Sequence, residues 1–254
     1  MAGAMVEGWQ AAGLDFAGVT VIRPSGTPVD GVRTVTSCPA EQPRFVMLGF
    51  KPQKLNDVAP GLEPHVGPTT MIVSMLAGVT AASLRERFPA ARSIIRVMPN
   101  LPVAQGQGVT AIYSEDDLGD GVDEVRELMA ALGMVAWCES EAELGVIGAV
   151  ASAGIAYVAR FADALAAGGA ALGMDPEMAM QVAIQTLVGT SAYAVESSAP
   201  MSEIARRVAS PKGTTEQGLA VLDAADGLKP LVERTLAAAV RRGQELAAEA
   251  ARQN

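Results

Sequence analysis

Short apolar blocks alternate with amphipathic segments through the first half of the chain. Residues 2–12 place apolar side chains at helical spacing and stop at Gly13, a residue suited to ending a helix. Runs of aliphatic and β-branched residues follow at Gly18–Arg23, Phe45–Phe50, Thr70–Met75, Ser93–Met98, Val109–Tyr113 and Met134–Cys138. Helical patterns separate them, the clearest over Asp120–Leu132. Strands alternating with helices predict an α/β fold, a mostly parallel, Rossmann-like doubly wound sheet. From Ser140 the strand signals stop. Glu141–Ala171, Pro176–Glu196, Met201–Val208, Thr214–Asp226 and Pro230–Ala251 all read as helices. The expected division is a sheet domain over 1–138 and an all-α domain over 139–254.

Composition narrows the classes. Half of the 254 residues are apolar, enough to bury a sizeable core. The net charge of −9, with no Lys/Arg run, argues against nucleic acid or an anionic membrane as partner. Ser152, Arg160 and Asp163 interrupt the Ala/Gly-rich stretch 144–172, so no run is read as spanning a bilayer. There is no basic-then-apolar leader at the start. Cys38 and Cys138 are far apart and read as free thiols in a reducing compartment, so the cytoplasm is expected. The lone His65 builds no cluster, and no metal site is expected.

Candidate chemistry gathers at two places. In doubly wound sheets the ligand lies outside the carboxyl ends of the strands. Arg23, Ser25, Phe50-Lys51-Pro52, Ala77-Gly78 and Asn100 all fall at such ends. Each alone is ordinary loop punctuation; their shared location points to a nucleotide-like ligand. Arg23 with Ser25 suits a 2′-phosphate, hence NADP over NAD, though a solvated strand-end arginine has the same sequence. The second place is Ser210-Pro211-Lys212-Gly213-Thr214-Thr215, a Ser-Pro turn feeding a helix. The first N–H groups of that helix lack intrahelical partners and can hold an anion. Gly213 admits close backbone approach. An ordinary N-cap fits the same spacing.

The stretch Val208–Asp223, V-A-S-P-K-G-T-T-E-Q-G-L-A-V-L-D, resembles the C-terminal signature of the pyrroline-5-carboxylate reductases. Phe50-Lys51-Pro52-Gln53, Ala77-Gly78-Val79-Thr80 and Arg96-Val97-Met98-Pro99-Asn100 are similar to that family's V-K-P-Q, A-G-V-T and R-V-M-P-N segments. The resemblance implies reduction of Δ1-pyrroline-5-carboxylate to L-proline, the last step of proline biosynthesis, with NADPH or NADH. It implies a cofactor held by Arg23, Ser25, Phe50, Lys51, Pro52, Ala77, Gly78 and Asn100. Ser210, Gly213 and Thr214 would hold the substrate carboxylate, Thr215 would hydrogen-bond the ring nitrogen as the catalytic residue, and Glu196 would lie near the amine. A solvent-facing helix-end glutamate is the plainer account of Glu196. The helical domain would form a homodimer, which in that family can assemble further into rings.

Departures from the family pattern are local. Lys212 replaces a Gly and Leu101 a Thr. Ser152–Tyr157 lacks the Pro and first Gly of S-G-S-G-P-A-Y, which predicts a straighter helix there. Met1–Met5 resembles the end of the family's G-x-G-N-M-x-x-A segment; the preceding strand and leading glycines are not in this sequence. A sheet gap with two exposed edges, and weaker pyrophosphate binding at this helix start, are the expected results. Two other readings remain at this level. One is a related imine or hydroxy-acid dehydrogenase, which would want a catalytic Lys on the first long helix; residues 141–171 contain none. The other is a non-catalytic dimeric binding protein left by loss of the first strand.

Overall fold

The structure is a computed structural model that describes residues 1–252. It forms two compact units, Met1–Ser152 joined by the chain from Ala239 onward, and Ala153–Ala238.

The first unit opens with helix α1 (Ala2–Ala11), followed by strands β1 (Thr20–Ile22), β2 (Arg33–Val35) and β3 (Phe45–Leu48). Helix α2 (Leu55–Leu62), β4 (Met71–Ser74), α3 (Ala81–Arg87), β5 (Ser93–Pro99) and β6 (Gly108–Tyr113) come next, then α4 (Gly121–Ala130), β7 (Gly133–Trp137) and α5 (Glu141–Ala151). Strands β3-β4-β5-β6-β7 form one sheet in that order. All neighbours are parallel except β5 and β6.

Because successive strand side chains point to opposite faces, one sheet feeds two cores. Leu48, Ile72, Ile94, Ala111 and Tyr113 join Leu55 and Leu62 of α2, Leu84 of α3 and Leu144 of α5. Met71, Val73, Ile95, Val97 and Ile112 meet Met5 and Trp9 of α1 and Val125 and Met129 of α4. Continuous burial of β4 and β5 accounts for their unbroken apolar runs. Trp9 anchors α1 by donating its indole N–H to the carbonyl of Leu128, at 2.6 Å.

β2 carried no expectation: three residues, none fully buried, are too short for a periodic signal. It pairs in parallel with β1, and this pair is separate from the five-stranded sheet. Among the described residues, β1 and β3 each pair along one edge only.

Helix α5 packs on the sheet, where a Cβ on Gly148 would collide with the Met98 sulfur. One expectation is corrected at the end of this unit: the helix does not run straight from Glu141 to Ala171. It breaks at Ser152–Ala153, since the carbonyl of Ala151 accepts a hydrogen bond from the Asn100 side-chain amide at 3.1 Å instead of continuing the helical ladder.

The second unit contains α6 (Gly154–Ala171), α7 (Pro176–Ser197), α8 (Met201–Arg207), α9 (Thr214–Leu222) and the beginning of α10 (Leu228–Arg252). Asp175 caps α7 by accepting from the Met178 amide at 3.0 Å, with Pro176 in the first turn. Ala166 of α6 packs against Ala179 and Ala183 of α7, small residues that let the backbones close up. α10 begins before Pro230, which sits in its first turn where no N–H is needed.

An 18-residue stretch within Glu141–Ala171 has a mean hydropathy of 1.6 and resembles a membrane span by length and composition alone. The break at Ser152 and the exposed Arg160–Asp163 ion pair set it apart from a continuous apolar span. Much of the helical unit's apolar surface is open in the single chain, including Leu172 (91% exposed) and Val195 (82%). A monomer seldom leaves this much apolar surface uncovered.

Tyr113 on β6 is buried beside Arg96, its register partner on β5. Burial, then its hydrogen bond to Glu115, pushes its phenol up to about 12 from 10.0. The folded chain therefore prefers the neutral phenol. That stability is complete below pH 10.0 and is lost as the pH rises towards about 12. Tyr113→Phe is expected to flatten this alkaline fall in melting temperature, measured between those two values.

Candidate functional site

β3, β4 and β5 are adjacent and parallel, so the segments leaving their carboxyl ends are neighbours. After β3, Gly49 brings the backbone against α1: a Cβ there would lie 2.8 Å from that of Ala2. The N-terminus of α1, with its unpaired amides, thus stands at the strand ends. Lys51 is exposed and leads into a 3-10 turn at Pro52–Lys54. Phe50 packs part of its side chain on the core.

After β4, Leu76–Val79 closes a turn with Gly78 at φ +77°, a conformation that favours glycine. Helix α10 passes here too, for a Cβ on Gly78 would meet the Leu246 carbonyl at 3.4 Å. Ala77 is exposed and Thr80 caps α3 by accepting from the Ser83 amide at 3.1 Å. After β5, Asn100 is 6% exposed. Its side-chain oxygen accepts from Val109 N–H at 2.8 Å and its amide donates to Ala151. The side chain expected to line a cofactor is therefore engaged in bracing β5, β6 and α5.

β1 ends in a second turn, with the Gly26 amide bonded to the Arg23 carbonyl at 2.8 Å. Arg23 and Ser25 are exposed on it. The guanidinium reaches the Thr27 carbonyl only at 3.4 Å, and the Ser25 and Thr27 hydroxyls lie 3.1 Å apart. Thr27 was missed in the sequence because nothing in R-P-S-G-T marks the hydroxyl pair that the turn creates.

In the second unit, Ser210–Gly213 is a β-turn with Pro211 second and Lys212 third. Lys212 has φ +60°, a left-handed conformation that favours glycine. The turn corrects one expectation. The Gly213 amide does not face a ligand; it donates to the Ser210 carbonyl at 2.9 Å. Gly213 serves instead by lacking a Cβ, which would lie 2.9 Å from that oxygen. The Glu216 carboxylate takes the Lys212 amide at 2.7 Å. Among the described residues, the amides of Thr214, Thr215 and Glu216 and both threonine hydroxyls have no intrachain partner. Thr215 is half-buried, whereas Thr214, Ser210 and Glu196 are exposed. Lys212→Gly is expected to raise stability by about 0.5–1 kcal/mol by removing the left-handed strain, read from chemical denaturation.

Arg207 joins Tyr193 and Glu203 beside a shallow cleft of about 290 Å³ that ends at Val208.

A doubly wound sheet with glycine turns at its carboxyl ends, followed by an all-α unit, defines a dinucleotide-dependent oxidoreductase. The family model for pyrroline-5-carboxylate reductase dimerisation matches residues 141–246. The pyrroline-5-carboxylate reductase of Pseudomonas aeruginosa is 31% identical, over 97% of this chain and 93% of the relative. The Coxiella burnetii pyrroline-5-carboxylate reductase structure superposes with a TM-score of 0.88 at 29% identity, covering 96% of this chain and 94% of that one. The Plasmodium falciparum pyrroline carboxylate reductase, solved with NADP bound, shares the fold at a TM-score of 0.80 and 20% identity, over 96% and 93% of the two chains. This chain belongs to the pyrroline-5-carboxylate reductase family.

Proposed function

We propose that this protein reduces Δ1-pyrroline-5-carboxylate to L-proline with a nicotinamide cofactor. Likeness to the P. aeruginosa enzyme over nearly the whole of both chains carries the reading. The residues present fit a dinucleotide: the start of α1 lies against the Gly49 backbone, and Gly78 sits in a left-handed turn after β4. When bound, the reduced nicotinamide supplies hydride to the imine carbon.

The chain's own residues bind and orient. The free amides of Thr214, Thr215 and Glu216 hold the substrate carboxylate at the start of α9, where the helix dipole favours an anion. The Ser210 hydroxyl borders the same turn. Thr215 hydrogen-bonds the ring nitrogen, its hydroxyl donating to a neutral imine or accepting from a protonated one. A threonine is too weak an acid to supply the proton, so water delivers it, or it arrives on the protonated imine. Glu196 is assigned to the neighbourhood of the substrate amine.

Several finer assignments belong to the same reading. NADPH is preferred over NADH, because Arg23, Ser25 and Thr27 present a cation and two hydroxyls on one exposed turn. Backbone at Phe50–Pro52, Ala77–Gly78 and Asn100 lines the cofactor. Residues 1–138 are the cofactor-binding part and 139–254 the part for substrate and dimerisation. The dimerisation match and the open apolar helix faces support a homodimer, with rings of dimers as the larger assembly. Two half-buried free thiols suit the cytoplasm.

The test is direct. NADPH titrated by fluorescence should bind, and its oxidation should require pyrroline-5-carboxylate. Binding without turnover would favour a non-catalytic dimer; turnover only with a hydroxy acid or another imine would favour a related dehydrogenase.

A further inference from the structure

Helix α5 is tied at both ends to the strand that leads into Asn100. At its last turn the Ala151 carbonyl accepts from Asn100. At its first turn one oxygen of Glu141 takes two hydrogen bonds, from the Ala81 backbone amide and from the Arg96 guanidinium, each at 2.8 Å. Ala81 opens α3 directly after Ala77-Gly78-Val79-Thr80. Arg96 lies on β5, four residues before Asn100, with a side chain only 10% exposed. The first amides of a helix ordinarily face solvent. Here a carboxylate fixed in another helix takes one of them, a placement the helix dipole favours. Ser140 holds that carboxylate's backbone by capping α5 through the Glu143 amide at 3.1 Å.

We infer that Glu141 is a positioning residue for the cofactor, fixing the Gly78 turn against the end of β5. This rests on the reading of Ala77–Gly78 and Asn100 as cofactor contacts. Glu141 itself touches no reacting atom; it acts through Ala81 and Arg96. Shifting the turn by a fraction of an ångström displaces one wall of the cofactor site and leaves the substrate loop at Thr215 untouched. Affinity for the nucleotide should fall while turnover at saturation is kept.

Two conservative variants separate length from charge. Glu141→Gln keeps the reach and the acceptor oxygen and drops the charge. Glu141→Asp keeps the charge and falls one methylene short of Ala81. NADPH dissociation constants from fluorescence titration should rise about 5- to 20-fold for Glu141→Asp, as for loss of one well-placed hydrogen bond. They should stay within about twofold of the parent for Glu141→Gln. In both, kcat at saturating NADPH and the KM for pyrroline-5-carboxylate should hold. Equal NADPH affinity in Glu141→Asp and the parent would overturn the inference, as would a Glu141→Gln as weak as Glu141→Asp. Loss of the fold in either variant would assign the contact to stability and overturn it as well. Failure of the parent chain to bind NADPH would instead strike the functional reading beneath it.

Discussion

Thr215→Ala should lower kcat about 10- to 100-fold, with NADPH affinity unchanged. Its hydroxyl lies in the first turn of α9, half-buried and without an intrachain partner among the described residues. A hydrogen bond to a charged group contributes about 1.5–3 kcal/mol. If the hydroxyl donates to the nitrogen of the neutral imine, where negative charge develops as hydride arrives, the bond tightens in the transition state and its value appears in turnover, giving the range stated. Thr215→Ser keeps the hydroxyl and should recover most of the rate. Thr214 is a built-in comparison, because it is exposed and its main contribution is a backbone amide that Ala retains. Thr214→Ala should therefore cost less than about threefold. Steady-state kinetics on the three variants decide the matter: an undiminished kcat in Thr215→Ala removes this hydroxyl from the chemistry.

The sheet was legible because burial on both faces writes itself into composition. Met71–Ser74 and Ser93–Pro99 are wholly or almost wholly buried, and no polar run imitates that. The edges were harder. Arg33–Val35 is a strand by virtue of a partner, Thr20–Ile22, and three residues carry no period. The helix break at Ser152 was illegible for a related reason. It is caused by Asn100, distant in sequence, competing for a carbonyl, and local propensity in an Ala-rich segment cannot register that.

The candidate site divides along the same line. Glycine turns were readable, since a positive φ or a close approach leaves few choices of residue; Gly78 and the Ser210–Gly213 turn both stand where the pattern put them. Hydrogen-bond partnership was not readable. Asn100 has the chemistry of a ligand and spends it on the framework, and the Gly213 amide is consumed by the turn that made it noticeable. Glu141 gave no signal at all, because its role depends on reaching Ala81 and Arg96 across long sequence separations.

Arg23→Ala should reduce kcat/KM for NADPH about 10- to 100-fold and leave the value for NADH within about threefold, which makes it a test of cofactor choice rather than of folding. The side chain is exposed, and its only intrachain acceptor among the described residues is a carbonyl at the outer limit of bonding distance, 3.4 Å. Little protein structure is lost when it is removed. What is lost is a cation at the end of β1, beside two hydroxyls that can complete the coordination of a phosphate. Ser25→Ala and Thr27→Ala each delete a neutral donor and should cost about 3- to 5-fold with NADPH alone. Because the turn is open to solvent, the Arg23 effect must also shrink as salt is added: at about 0.1 M ionic strength the screening length is already roughly 10 Å. The ratio of NADPH to NADH efficiency, measured across a salt series, therefore carries two independent checks. A fall shared equally by both cofactors would place Arg23 in the framework. A salt-insensitive loss confined to NADPH would mean that the guanidinium acts from a desolvated position that this exposed turn does not provide.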